Sequence, residues 1–135
     1  MDITLSLDQY INYAGNLLRC IFKRTVILQK KAEEMKSYSE IAKDKIIKSM
    51  EEVIEDTQTL EMETCLNYEG DFPHSTYWAE LRIYCDKYKQ QPWDLYNVMK
   101  NNIGNGLYAS FLRYYALGLV DDIRTLETWA EEVRI

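Results

Sequence analysis

Residues 46–64 read IIKSMEEVIEDTQTLEMET, and the apolar positions Ile46, Ile47, Met50, Val53, Ile54, Thr57, Leu60 and, more weakly, Thr64 return about every 3.5 residues. A strand would alternate with a period of two. This spacing instead lays one apolar line along one side of a helix, with the period of a coiled-coil seam. The helix is expected from about Tyr38 to Tyr68, and thirty residues of helix reach ~45 Å. Upstream, from Ser6 to about Lys36, a second stripe runs through Leu7, Tyr10, Ile11, Ala14, Leu17, Leu18, Ile21 and Phe22. Ser6 with Gln9 three residues on has the form of a capping box. The β-branched run at Thr25–Leu28 sits inside that periodicity, so the helix is expected to continue through it. Ser37, Tyr38 and Ser39 mark a weak break. Two long helices either side of so short a break fold back most simply as an antiparallel hairpin. The alternative, one bent helix over residues 7–68, needs a partner chain to cover it.

Beyond the hairpin the text changes in kind. Residues 1–68 hold five of the 17 aromatic rings and residues 72–135 hold twelve. EGDFPHS, residues 69–75, is punctuated by Gly70, Asp71 and Pro73 and reads as a loop. Ser75 is placed to cap a helix from Thr76 to about Gln91, with Trp78, Leu81, Ile83, Cys85 and Tyr88 as its apolar positions. Pro92 ends that helix or opens the next, which is expected over Trp93–Ile103 with Leu95, Tyr96, Val98 and Met99. Gly104-Asn105-Gly106 is a turn. A helix over Leu107–Leu117 is expected to stop at Gly118. A last one over Val120–Val133 carries Ile123, Leu126, Trp129, Ala130 and Val133, with Asp121 and Asp122 in its favourable first turn. The expected fold is all-α: one domain over 1–135, made of a long antiparallel two-helix hairpin (1–68) with three to four shorter aromatic-rich helices (76–135) packed as a bundle.

Composition bounds the function. The chain has 135 residues, 16 Lys and Arg against 22 Asp and Glu, and a net charge of −6. A phosphate backbone repels such a chain, so nucleic acid is not the expected partner. The acidity is concentrated: residues 37–72 hold ten acidic and three basic groups. No apolar run approaches a membrane span, and the opening MDITLSLDQY lacks the charged and apolar regions of a signal peptide. A cytoplasmic setting, of a cell or of a host, is expected. Cys20, Cys65 and Cys85 fit no ligand spacing and are expected to be reduced and buried.

No constellation for chemistry emerges. His74 is the single histidine, and neither a nucleophile elbow nor a papain-like cysteine context accompanies it. Paired Glu-x-x-His ligands cannot be assembled from one histidine. Glu51, Glu52, Glu55 and Asp56 lie opposite the Met50–Val53–Thr57 stripe and are expected to face water. No catalytic residue, no cofactor-binding residue and no metal ligand is assigned, and no enzyme is expected. The basic residues Arg19, Lys23, Arg24, Lys30 and Lys31 of the first helix would pair with the acidic second helix across the hairpin. Arg82, Tyr84, Lys87, Tyr88, Lys89, Trp93 and Lys100 interleave cations with rings, as single-strand binders do, but the rings read more simply as core. In Leu107–Leu117, Tyr108, Phe111 and Tyr115 share a face, and Arg113 and Tyr114 lie off it, so at least one large ring should be exposed.

The segment Asn105–Gly118, NGLYASFLRYYALG, resembles the apolar final helices of the small helical subunits of CRISPR effector complexes. The similarity covers fewer than fifteen residues (~a tenth of the chain) and carries no site residue with it. It implies, as an alternative, a helical subunit of a nucleoprotein complex whose residues 82–100 and first-helix cations would track nucleic acid.

The leading expectation is a small acidic helical protein-binding module. Its profile is that of a non-catalytic inhibitor or accessory protein: an immunity or antitoxin-type protein, or a phage or viral protein that blocks a host factor. The partner-binding residues would be Glu51, Glu52, Glu55 and Asp56, which would steer the chain to a basic protein surface, together with Tyr108, Arg113, Tyr114 and Tyr115. No cofactor and no membrane is expected as a partner. The coiled-coil spacing also permits a homodimer.

Overall fold

The computed structural model describes residues 6–34, 40–69, 74–102 and 107–133, and among them every regular element is helical. Five helices follow one another in the described residues: α1 Leu7–Glu33, α2 Glu40–Glu69, α3 His74–Tyr88, α4 Gln91–Asn102 and α5 Leu107–Glu132. None is long and apolar enough to cross a membrane.

The start of α1 follows the sequence closely. The Ser6 hydroxyl accepts the Gln9 backbone N–H at 3.2 Å, and the Gln9 side chain accepts the Ser6 N–H at 2.8 Å. Two of the four orphan donors of the first turn are satisfied reciprocally. The run Thr25–Leu28 stays helical. Thr25 is buried and donates its hydroxyl to the Ile21 carbonyl at 2.6 Å, which satisfies it inside the core. The stripes of both long helices are the buried ones. Ile11, Ala14, Leu18, Ile21 and Leu28 of α1 share a core with Ile46, Met50, Val53 and Leu60 of α2.

The packing is a helical bundle in which the backbone of α1 lies beside α2 and α5 and that of α5 also beside α3 and α4, while among the described residues the backbones of α2 and α5 do not come together. Gly15 lies against Thr64, where a Cβ would stand 2.7 Å from the Thr64 methyl. Arg19 meets Glu61 at 3.0 Å, and Gln29 donates to the Ile47 carbonyl at 3.2 Å. Trp78, fully buried, anchors the aromatic half, with Tyr77 and Tyr10 edge-on at ring distances of 5.5 and 6.4 Å. Arg82 of α3 donates to the carbonyls of Ala130 at 3.0 Å and Val133 at 2.5 Å. α5 has no basic residue in its own last turn, so α3 supplies the cation that its orphan carbonyls favour.

Several boundaries differ from expectation. The break at Gly118 is absent: α5 is one helix of 26 residues, nearly the 27 of α1, so the helices after α2 are not all short. Gly118 serves a close approach instead. A Cβ there would lie 2.6 Å from Cζ of Arg24, whose guanidinium crosses to Asp122 at 3.2 Å. α3 begins at His74, so Ser75 lies within the helix and not before it, and α3 ends at Tyr88. α4 begins at Gln91 with Pro92 in its first turn, where the missing N–H costs nothing. In α3 the expected Trp78, Leu81, Cys85 and Tyr88 are buried, joined by Tyr77 and Tyr84, whereas Ile83 is 67 % exposed. Cys20 is exposed and Cys85 is a buried free thiol, pushed up to about 12 by its burial. The Ser37–Ser39 break, the core of the 69–75 loop and the Gly104–Gly106 turn lie outside the described residues.

The role of Gly118 is open to a double substitution. In an Arg24→Ala background, Gly118→Ala should stabilise α5 by about 0.5–1 kcal/mol through helix propensity. With Arg24 present the gain should vanish or reverse, because the guanidinium must leave Asp122. Urea unfolding of the four chains measures the difference, and equal effects in both backgrounds would refute the close-approach role.

Candidate functional site

The acidic residues of α2 divide between two environments. Glu51 and Glu55 are exposed on α2. Glu52 is exposed too, as expected, but with the half-buried Asp56 it also pairs with α3. The Lys87 ammonium donates to Glu52 and, at 3.3 Å, to Asp56, and the Tyr88 hydroxyl donates to Asp56. The carboxylates hold Lys87 protonated well above the ordinary lysine range. The first-helix cations are likewise distributed differently from expectation. Arg19 bonds to α2, through Glu61; Arg24 pairs with Asp122 of α5, and Lys31 with Glu34 at the end of its own helix. The α5 group divides too. Tyr114 is 69 % exposed, as its place off the stripe predicts, and Arg113 is half-buried. Tyr115 is half-buried against the core, with Arg24 at 5.7 Å over its ring and Phe111 at 4.6 Å beside it. The side chains of Tyr108, His74 and Cys65 lie outside the described residues. Because the backbones of α2 and α5 do not come together among the described residues, Glu51 and Glu55 lie apart from Phe111 and Tyr114.

The α2–α3 contact is a polar seam with a seven-residue repeat. Thr57 meets the hydroxyl of Tyr84 and Thr64 meets that of Tyr77, all four residues being buried. Each threonine has one hydroxyl proton, already donated to the carbonyl four residues back, Val53 at 2.5 Å and Leu60 at 2.8 Å. Each tyrosine must therefore be the donor to its threonine. Burial drives the Tyr84 phenol far above the usual range and keeps it neutral.

Between these pairs, Glu63 of α2 faces Glu80 of α3. One oxygen of Glu63 is buried with no hydrogen-bond donor near it. A hydrogen bond to Glu80 and burial lift the Glu63 carboxyl to about 7, so it holds a proton in water where an ordinary glutamic acid has lost it. The pair opens into a cavity of about 300 Å³ lined also by Asp56, Thr59, Leu60, Ile83, Tyr84 and Lys87. A carboxyl poised there can take up or release a proton near neutrality. No group of three or more His, Cys, Asp or Glu side chains suited to a metal ion comes together among the described residues.

Sequence reasoning passed over this pair and the tyrosines. The signal was present in part: Thr57 and Thr64 lie seven apart on α2, Tyr77 and Tyr84 seven apart on α3. All but the exposed Lys100 of the interleaved residues in 82–100 have contacts within the chain. Arg82 holds the end of α5, Lys87 the α2 acids and Lys89 Asp86 at 3.5 Å; Trp93 stacks under Arg124 at 5.7 Å. Compared with known families, characterised proteins and solved structures, the chain matches none.

Proposed function

We propose that this chain is a small acidic helical protein-binding module, a non-catalytic inhibitor or accessory protein of the immunity, antitoxin or host-factor-blocking kind. The partner is a protein with a basic surface. One observation carries the reading: of the six acidic groups in residues 51–63, where no basic residue stands, Glu52, Asp56 and Glu61 pair with Lys87 and Arg19, while Glu51 and Glu55 stand outward on a helix whose apolar side is already buried. Such a face attracts cations over roughly a Debye length of ~8–10 Å and sets association rate and partner choice. The frame of the module is α1 and α2 as one long antiparallel hairpin, with α3, α4 and α5 packed on it. In its favour, the pairs Gly15–Thr64, Arg19–Glu61 and Gln29–Ile47 rise along one helix as they fall along the other.

The test is recovery of the tagged chain from its native lysate, with and without nuclease. One stoichiometric basic protein surviving nuclease, and lost with Glu51→Lys/Glu55→Lys, is the expected result. A set of partners that disappears with nuclease and brings nucleic acid with it would contradict the proposal.

A further inference from the structure

The outer side of α1 and α5 differs from the rest of this acidic chain. Arg24 fixes the register, 3.2 Å from the Asp122 carboxylate and 5.7 Å from the Tyr115 ring centre. At the other end of the two helices the Tyr10 hydroxyl donates to Glu132 at 3.0 Å. α1 therefore ascends as α5 descends, and one turn beyond Arg24 the register brings Ile27 level with Tyr114. There α5 presents Leu107, Phe111 and Tyr114, exposed by 93, 40 and 69 %. They stand at i, i+4 and i+7, one stripe on one side of the helix, and Ile27, 36 % exposed, extends it onto α1. The charge beside Ile27 and Tyr114 is basic; acidic groups enter only further along, Glu33 and Glu34 at the end of α1, where Glu34 pairs with Lys31, and Asp121 and Asp122 beyond residue 120 of α5. Residues 19–31 carry five basic and no acidic groups, and residues 107–120 one basic and none acidic, in a chain of net charge −6. Arg19, Arg24 and Lys31 have acidic partners, whereas Lys23 and Lys30 stand exposed beside Ile27.

Large apolar groups at helical spacing, exposed together and flanked by lysines, have the form of a site that receives an amphipathic helix. We infer that the α1–α5 face docks an acidic amphipathic helix of a protein partner, its apolar side on Ile27, Leu107, Phe111 and Tyr114 and its carboxylates towards Lys23 and Lys30. This goes beyond the proposed function, which concerns α2. Since the backbones of α2 and α5 do not come together among the described residues, one chain can hold a basic surface on one face and an acidic helix on the other.

The probe is a fluorescently labelled synthetic helix with leucine at i, i+4 and i+7 and glutamate opposite, titrated with the full chain and read by anisotropy. Controls are a scrambled peptide of the same composition and the same design with lysine for glutamate. The acidic helix should bind at least tenfold more tightly than either control. Leu107→Ser/Tyr114→Ser should weaken it at least tenfold, and Lys23→Glu/Lys30→Glu at least fivefold with a shallower salt dependence. Glu51→Lys/Glu55→Lys should leave it unchanged, which separates this face from the α2 face. Far-ultraviolet circular dichroism and melting confirm that each variant is folded. Equal binding of the three peptides, or loss of binding through the α2 substitutions, would overturn the inference. So would attachment to phosphatidylserine vesicles with no peptide preference, or a self-associated dimer that Tyr114→Ser dissolves.

Discussion

Trp78→Ala should cost about 3–5 kcal/mol of folding stability, enough to unfold a large share of a marginal domain. The indole is fully buried and stacks edge-on with Tyr77 and Tyr10, so its removal opens a void where α3 meets α1. Trp78→Phe should cost only about 1 kcal/mol. The phenyl ring keeps most of the volume, and the indole N–H that it removes meets no acceptor. Urea unfolding with unchanged m-values measures both. Equal losses from the two substitutions would show that the N–H is held by a bond that this packing lacks.

The second large effect is on pH dependence. Glu63 is lifted to about 7 in the folded chain by Glu80 and by burial, from an ordinary value of 4.5 when unfolded. The folded state binds the proton more tightly, so the stabilisation is full below about pH 4.5 and is lost as pH rises through about 7. Between pH 5 and 8 the chain should lose about 1–2 kcal/mol from this group, less than the shift alone would give because the cleft is open to water. Glu63→Gln keeps a donor for Glu80 without the charge. It should flatten the curve and leave the variant more stable than the natural chain at pH 8. Urea midpoints at the two pH values decide it. A variant with the same slope as the natural chain would place the proton elsewhere.

The two long helices were legible because their signals are local. The Ser6–Gln9 capping box and the 3.5-residue stripe through Met50, Val53 and Leu60 each lie within a few turns of one helix. What escaped depends on a second helix. Gly118 reads as a stop in isolation, yet it is an approach point for Arg24, ninety-four residues earlier in the chain. Ile83 and Tyr84 both read as core, and Tyr84 is, with Thr57 as a buried acceptor for its hydroxyl, whereas Ile83 is left outside. The Glu63–Glu80 pair has no signature in either helix alone, since each carboxylate sits in an ordinary polar position until α2 and α3 meet. Among the candidate partner residues, the outward place of Tyr114 was legible from helical phase. The use of Glu52 and Asp56 by Lys87 was not.

Titration calorimetry with the partner recovered from lysate tests whether the acidic face of α2 is what a basic protein binds. The natural chain should bind with an affinity that falls steeply between low and physiological salt. Glu51→Lys/Glu55→Lys, folded and melting as the natural chain does, should bind at least tenfold more weakly and with little salt dependence. Unchanged affinity in that variant would contradict the account.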